Sequence, residues 1–238
     1  MKNLNNPSKI SLSFSNGDKT LTDIDQINKV LAEVGSKISL IDIPSRTQSI
    51  LEHSKESALT SKMNADLLDI FYRDKQELLD LITDAGREPA VKGGGFMSTH
   101  EPGVAPYPKV YDMKAMSFDE HLATEHKFGK LHVNAADNNT GPDEVMMLIS
   151  GGPWAWFFML PNKVILKVLI EKIPDEGPGW QLCYNGINPH AALMNPEYGL
   201  VVAYATGPEV WTLYQSDLDI NGSELLGTNS WIDFSSKR

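Results

Sequence analysis

The chain has 238 residues, 41% of them apolar, and a formal net charge of -10 at pH 7. Such a length buries a sizeable core, and the apolar fraction excludes wholesale disorder; the acidic balance, without a cluster of Lys and Arg, excludes a nucleic-acid or membrane surface. No apolar run reaches the roughly 18 residues of a spanning helix, the N-terminal segment lacks the apolar core of a signal peptide, and the single Cys183 cannot form an internal disulfide, so a cytoplasmic protein is expected.

In chain order, KISLSF at 9–14 alternates like a strand, and Asn16-Gly17 offers a tight hairpin turn. From Asp23, the residues Ile24, Ile27, Val30, Leu31 and Val34 recur at helical spacing, with Asp23 and Gln26 placed as a capping box and Gly35 as a stop. KISLIDIP at 37–44 reads as a strand or extended connector. Two helical patterns follow, SRTQSILEHSKESALTSK and MNADLLDIFYRDKQELLDLITDAG, the second ending at Gly86. Residues 1–86 are thus expected to form a mainly helical region with a short hairpin, followed by a Gly/Pro-rich linker over 87–107.

Over 108–238 the pattern turns to β, in short runs PKVYDM, KLHVNA, EVMMLIS, WAWFFML, KVILKVLIEKI, WQLCYNG, GLVVAYATG and EVWTLYQSD. Many short strands separated by Gly, Pro, Asn and Asp predict an antiparallel sandwich or barrel with no helix of length among them. His121 and His126, in DEHLATEHKFGK, are expected on a solvated turn of helix or loop, although His126 lies within sequence reach of the candidate site.

Three ligand-capable side chains stand out within this β region. His132 and Asn134 share one face of a strand, Glu144 opens the next, and His190 sits in the later segment NGINPHAALMN. Two histidines and one carboxylate from separate strands match the open-faced donor set of iron and its neighbours. Taken singly, each has an ordinary structural reading, such as a hydrogen-bonded core histidine.

These residues resemble the motifs of the cupin superfamily. The first motif, HxH, a spacer, Glu, six residues and Gly, reads here His132-Val133-Asn134, nine residues, Glu144, VMMLIS, Gly151. The second reads Gly179-WQLCY-Asn185-Gly186-Ile187-Asn188-Pro189-His190-AALM-Asn195, with the histidine in its place. Asn134 stands where the family has a second histidine, the first spacer is long, and Asn185 replaces a proline. The resemblance covers roughly 108–215 and implies an α+β chain with a cupin-type antiparallel β-barrel (jelly roll) after a mainly helical region. A narrower similarity, carried by Val110-Tyr111-Asp112-Met113 and by Gly179-Trp180 through His190, is to the 4-hydroxylaminobenzoate lyase-like cupins.

The resemblance implies a divalent metal ion, Fe2+, Mn2+, Zn2+ or Ni2+, on His132, Glu144 and His190, with Glu144 and Asn134 as catalytic groups. Trp154, Trp156, Phe158, Trp180 and Tyr184 are candidates to line a substrate cavity, although aromatic residues at strand parity fill β cores as readily. Arg87 and Lys92 are candidates to pair with a substrate carboxylate, VKGGGF at 91–96 reads as a lid or linker because no phosphate-loop motif is present, and Cys183 reads as a buried small hydrophobe. Three functions stay open: a metal-dependent enzyme on a small, aromatic organic acid, with the lyase as its named form; a dioxygenase with a two-histidine, one-glutamate iron site; or a non-catalytic ligand-binding cupin. A homodimer and a small-molecule substrate are expected in each case, with neither nucleic acid nor membrane as partner.

Overall fold

The structure is a computed structural model and describes residues 6–17, 19–89, 107–136, 139–194, 196–207 and 211–214. The segment 91–96, with Lys92, and Asn195 lie outside the described residues, as does the side chain of His126.

Local sequence signals set the first elements. β1 (Ile10–Phe14) turns through Asn16 and Gly17, the latter at φ 77°, into the two-residue β2 (Thr20–Leu21). α1 (Ile24–Leu31) begins at Asp23, whose Oδ1 accepts the Gln26 N–H at 3.0 Å, and it buries Ile27 and Leu31. After β3 (Lys37–Ile41) come α2 (Gln48–Glu56), α3 (Ser61–Ile70) and α4 (Lys75–Asp84). The second helical pattern of the sequence is therefore two helices. Asp74 and Glu77 cause the break, each side chain accepting the other's backbone N–H at 2.9 Å in a capping box that starts α4 afresh.

β4 (Lys109–Asp112) is followed by α5 (Phe118–Phe128), an 11-residue helix where a turn or loop was expected. Its start is a second capping pair: Ser117 N–H donates to Glu120 Oε2 at 2.7 Å, and Glu120 N–H donates to Ser117 Oγ at 3.3 Å. His121 is half-buried rather than solvated, its Nε2 lying 3.1 Å from the Met113 carbonyl. Then follow β5 (His132–Ala135), β6 (Asp143–Gly151), β7 (Trp154–Met159), β8 (Ile165–Ile170), β9 (Gly179–Asn185), β10 (His190–Leu193), β11 (Gly199–Thr206) and β12 (Trp211–Tyr214).

All strand pairs are antiparallel and fall into two sheets, ordered β12-β5-β10-β7-β8-β1-β2 and β3-β9-β6-β11-β4. No ladder joins them among the described residues, so the expected closed jelly-roll barrel is here a pair of facing sheets. Strands from the N-terminal part complete both: β1 pairs with β8 and β3 with β9. No described helix is long and apolar enough to cross a membrane.

The core lies between the sheets. Leu12, Trp154, Trp156, Phe158, Leu166 and Val168 from one sheet meet Ile38, Met146, Leu148, Trp180, Leu182 and Val201 from the other. The opposite face of the five-stranded sheet packs Val145, Met147, Ile149, Cys183 and Val202 against Leu51, Leu67, Leu78 and Ile82 of α2–α4. Cys183 is thus buried, as expected, and burial pushes its thiol up to about 11. The Gly151 of the first motif sits at φ 75°, and a Cβ there would run into the backbone at Tyr198 and Gly199, so the bend between β6 and β7 requires glycine.

Arg87 joins the end of the helical region to the start of β6. Its Nε donates to the Gly35 carbonyl, its Nη1 pairs with Asp143 Oδ1, and its Nη2 lies 3.5 Å from Cys183 Sγ. With side-chain exposures of 12% and 1%, Arg87 and Asp143 form a buried ion pair, so Arg87 is not the substrate-carboxylate partner the sequence suggested. Removing one member leaves the other charge buried without its partner. Arg87→Ala is expected to lower the unfolding free energy by about 3 kcal/mol in urea titrations, and adding Asp143→Asn to recover part of that loss.

Candidate functional site

His132, Asn134, Glu144 and His190 are brought to one end of the inter-sheet space by strand register. His132 lies directly opposite His190 across the β5–β10 pair, and Glu144 lies opposite Tyr184 across β6–β9. Along β10 the parity of His190 continues to Ala192, and along β6 that of Glu144 continues to Met146 and Leu148, all members of the central core. The polar groups therefore point inward, and His132, His190 and Glu144 are 2%, 3% and 5% exposed. Groups this deeply buried must find partners within the protein.

Both histidines are fixed through the same nitrogen. His132 Nδ1 lies 2.7 Å from the Lys130 carbonyl, and His190 Nδ1 lies 2.8 Å from the Asn188 carbonyl. Because a carbonyl only accepts, each Nδ1 carries the hydrogen and each Nε2 keeps its lone pair. The ring centroids stand 4.5 Å apart, and His190 Nε2 is 3.9 Å from Glu144 Oε1. Burial drives the His190 imidazole down to about 4, with the Asn188 carbonyl acting partly against it, so it is neutral at neutral pH.

Glu144 is held at both oxygens. The Tyr184 hydroxyl donates to Oε2 at 2.9 Å and Asn134 Nδ2 donates to Oε1 at 3.1 Å. Burial raises its carboxyl above the usual range, while the two donors, then His132 and Lys109, act to keep it ionised. The Tyr184 phenol is raised well above its ordinary value, chiefly by burial and then by the Glu144 charge, and stays protonated. The motif-two residue Gly186 packs against Pro142 and the Asn134 Cβ, while its carbonyl accepts the Asn134 N–H at 2.7 Å. A Cβ at 186 would run into the Pro142 ring and crowd the Asn134 Cβ.

As the side chains stand, no three His, Cys, Asp or Glu residues among those described form a ready-made metal-binding set. Asn134 and Tyr184 take up the carboxylate. The donor chemistry nonetheless suits a divalent ion. It comprises two imidazole Nε2 lone pairs on adjacent strands and a buried carboxylate beside one of them.

The candidate aromatic residues divide by distance along the strands. Phe158 lies opposite His190 in register and meets the Tyr184 ring edge-on at 5.6 Å, and Tyr184 is 5.0 Å from the His190 ring. Trp156 is next on the same face; its indole lies close enough to the Tyr184 oxygen to act on it, yet its Nε1–H makes no well-formed hydrogen bond. Trp154 and Trp180 sit at the other end of the strands, the latter donating to Ser8 Oγ at 2.8 Å.

Tyr107, Lys109 and Tyr111 were not among the site residues expected from the sequence, although Tyr111 carries part of the narrower resemblance. Tyr107 and Tyr111 pack against the central core, Val110 packs on the opposite side, and the Lys109 ammonium lies over the two phenol rings at 4.4 and 4.8 Å. The phenol oxygens are 3.3 Å apart, and burial first, then the charges of Tyr111 and Glu144, hold Tyr107 well above its usual range.

Neither a family model nor a curated protein matches the chain. Among solved structures it is similar to acireductone dioxygenase from Bacillus anthracis, determined with a cadmium ion in its active centre. The TM-score is 0.57 at 15% identity, covering 87% of this chain and 99% of that one. This likeness, to an enzyme of the cupin fold, concerns the fold.

The buried neutral His190 makes stability depend on pH. Its folded-state value, about 4, lies below the ordinary 6.5, so its contribution is present above 6.5 and is lost as pH falls toward 4. Glu144, raised by burial, acts in the opposite direction. In the presence of chelator, His190→Gln is expected to remove an acid-dependent loss on the order of 3 kcal/mol, seen as unfolding curves of variant and wild type that converge from pH 7 to pH 4.5.

Proposed function

We propose that the protein is a metal-dependent dioxygenase of the cupin kind acting on a small organic acid, with His132, Glu144 and His190 as metal ligands. The observation that carries this reading is the pair of imidazoles pinned through Nδ1, with the His190 Nε2 left beside a buried carboxylate. Likeness to the acireductone dioxygenase fold supports the oxygenase over the lyase, which finds no support among the similar proteins.

A divalent ion in this site would supply Lewis acidity and, if iron, redox chemistry with dioxygen. The chain supplies the rest. The Lys130 and Asn188 carbonyls fix the imidazole orientations, as outer partners of metal-binding histidines do. Glu144 contributes negative charge in a place from which water is excluded, where its attraction for a cation is greatest. Tyr184 keeps the proton on its oxygen and donates it in a hydrogen bond to that carboxylate, holding it in place. Asn134 orients the carboxylate and is a weak donor where the family has imidazole.

One observation favours a second reading, a non-catalytic ligand-binding cupin. Both Glu144 oxygens are already satisfied by protein donors, as expected of a network that has replaced a metal. Metal analysis after incubation with Fe2+, Mn2+, Ni2+ or Zn2+ separates the two. The dioxygenase reading expects stoichiometric ion and a raised melting temperature, both lost in His132→Ala and His190→Ala, with tighter binding in Asn134→His. Near-zero occupancy with no thermal shift for any of the four metals would leave the second reading standing. Oxygen uptake with small carboxylic acids then tests the reaction itself.

A further inference from the structure

We infer that the cavity between α4 and the helix-covered face of the five-stranded sheet is a second binding site, for a small organic ammonium with an apolar body and an oxygen acceptor. It stands apart from the metal reading, because His132, Glu144 and His190 lie against the opposite face of that sheet.

The cavity holds about 500 Å3, an ordinary volume for a small-molecule site. Its walls come from the end of β3 and the residues after it, from the turn between α3 and α4, and from α4, and Gln181 of β9 also lines it. Register explains the direction of that glutamine. Gln181 pairs with Met147 of β6 and shares its parity with Cys183, and both neighbours belong to the core packed against α2–α4. A polar side chain thus stands in an apolar layer, 5% exposed, with its Oε1 buried and without a hydrogen bond. The Arg73 Nε–H, in the wall of the same cavity, is likewise buried without an acceptor. Buried polar groups nearly always find partners, and here the protein supplies none to an acceptor and a donor beside one cavity. The last side-chain bond of glutamine turns easily, so the amide oxygen can swing to the cavity surface.

Charge selects the occupant. Asp42, half-buried, and Glu77, Asp80 and Asp84, exposed, line the cavity together with the guanidinium of Arg73. That guanidinium is turned to Glu77, with Nη1 3.6 Å from Oε1, and its backbone N–H donates to the Tyr204 hydroxyl at 3.0 Å. Asp84 faces Lys37 at 3.7 Å, and Asp80 Oδ1 accepts from Gln76 Nε2 at 2.8 Å. Acidic residues on an exposed helix face are by themselves a solvated surface. Above a buried amide without a partner and an apolar lining of Ile41, Ile70, Phe71 and Leu81, they favour a cation with an apolar body and repel an anion. The ammonium is held by Asp42 and the Gln181 oxygen, and an oxygen of the ligand accepts the Arg73 Nε–H.

Calorimetric titration and thermal shift of the full chain in chelator test this, with phenylalaninol as the probe and phenylpropanol and phenylpropanoate as neutral and anionic controls. Phenylalaninol is expected to bind and raise the melting temperature, and both controls to bind roughly tenfold or more weakly. Asp42→Asn should weaken phenylalaninol binding by a similar factor. Gln181→Met, which keeps the bulk and removes the amide, should weaken it too while raising the melting temperature of the unliganded protein, since a buried group without a partner is gone. No response to phenylalaninol, as when water alone satisfies the two atoms, overturns the inference. So does equal binding of either control, or unchanged affinity in either variant. A purely structural Gln181 gives a lower unliganded melting temperature with unchanged phenylalaninol affinity, which overturns it as well.

Discussion

A buried carboxylate between two apolar sheets is the constraint around which this site is built. Glu144 is almost wholly removed from water, and an ionised group there is tolerable only with donors or cations close by. Asn134 and Tyr184 meet that need directly, Lys109 meets it through its charge, and His190 stands within 4 Å as a neutral base. These partners come from four strands, so the carboxylate also fixes how β4, β5, β9 and β10 converge at that end of the core. The neighbouring residue, Asp143, makes its own buried pair with Arg87 and ties the start of the same strand to the end of the helical region. Two consecutive acidic residues facing opposite sides of β6 are thus held by two separate sets of partners.

This arrangement balances two states. With its protein partners the carboxylate is satisfied and the two imidazole rings stand 4.5 Å apart between centroids, a polar network held by hydrogen bonds. A divalent cation would replace weak mutual contacts by coordination and would favour the ionised carboxylate, and Tyr184 and Asn134 would then serve as its outer support. Asn134 bears directly on that balance, because a neutral amide supports the carboxylate by a hydrogen bond and is a poor metal ligand.

Much of the local structure was legible in the sequence. Asn16-Gly17, Asp23 with Gln26, and Gly35 mark turns and ends by backbone chemistry confined to a few residues, and the structure places elements there. The strand runs of the C-terminal part were legible as short apolar stretches separated by Gly, Pro, Asn and Asp. Two capping signals, Asp74 with Glu77 and Ser117 with Glu120, were equally local and would have revealed the helix break and the helix over 118–128. Other features depend on long-range pairing. Whether the strands close into a barrel depends on ladders between segments far apart in sequence, and β1 joins one sheet while β3 joins the other. At the site, spacing singled out His132, Glu144 and His190, and strand register then brings them together. Lys109 was not legible because its inward direction is set by pairing with β11, roughly ninety residues away. Arg87 was read as a free cation because its partner, Asp143, lies 56 positions along the chain.

The most direct test of the central claim is a crystal structure of the Mn2+-soaked protein, with anomalous scattering recorded to locate the ion. The account predicts a peak between the Nε2 atoms of His132 and His190, with a Glu144 oxygen turned toward it. A map without a peak there, in which Asn134 and Tyr184 still hold both Glu144 oxygens in manganese-saturated crystals, would contradict it.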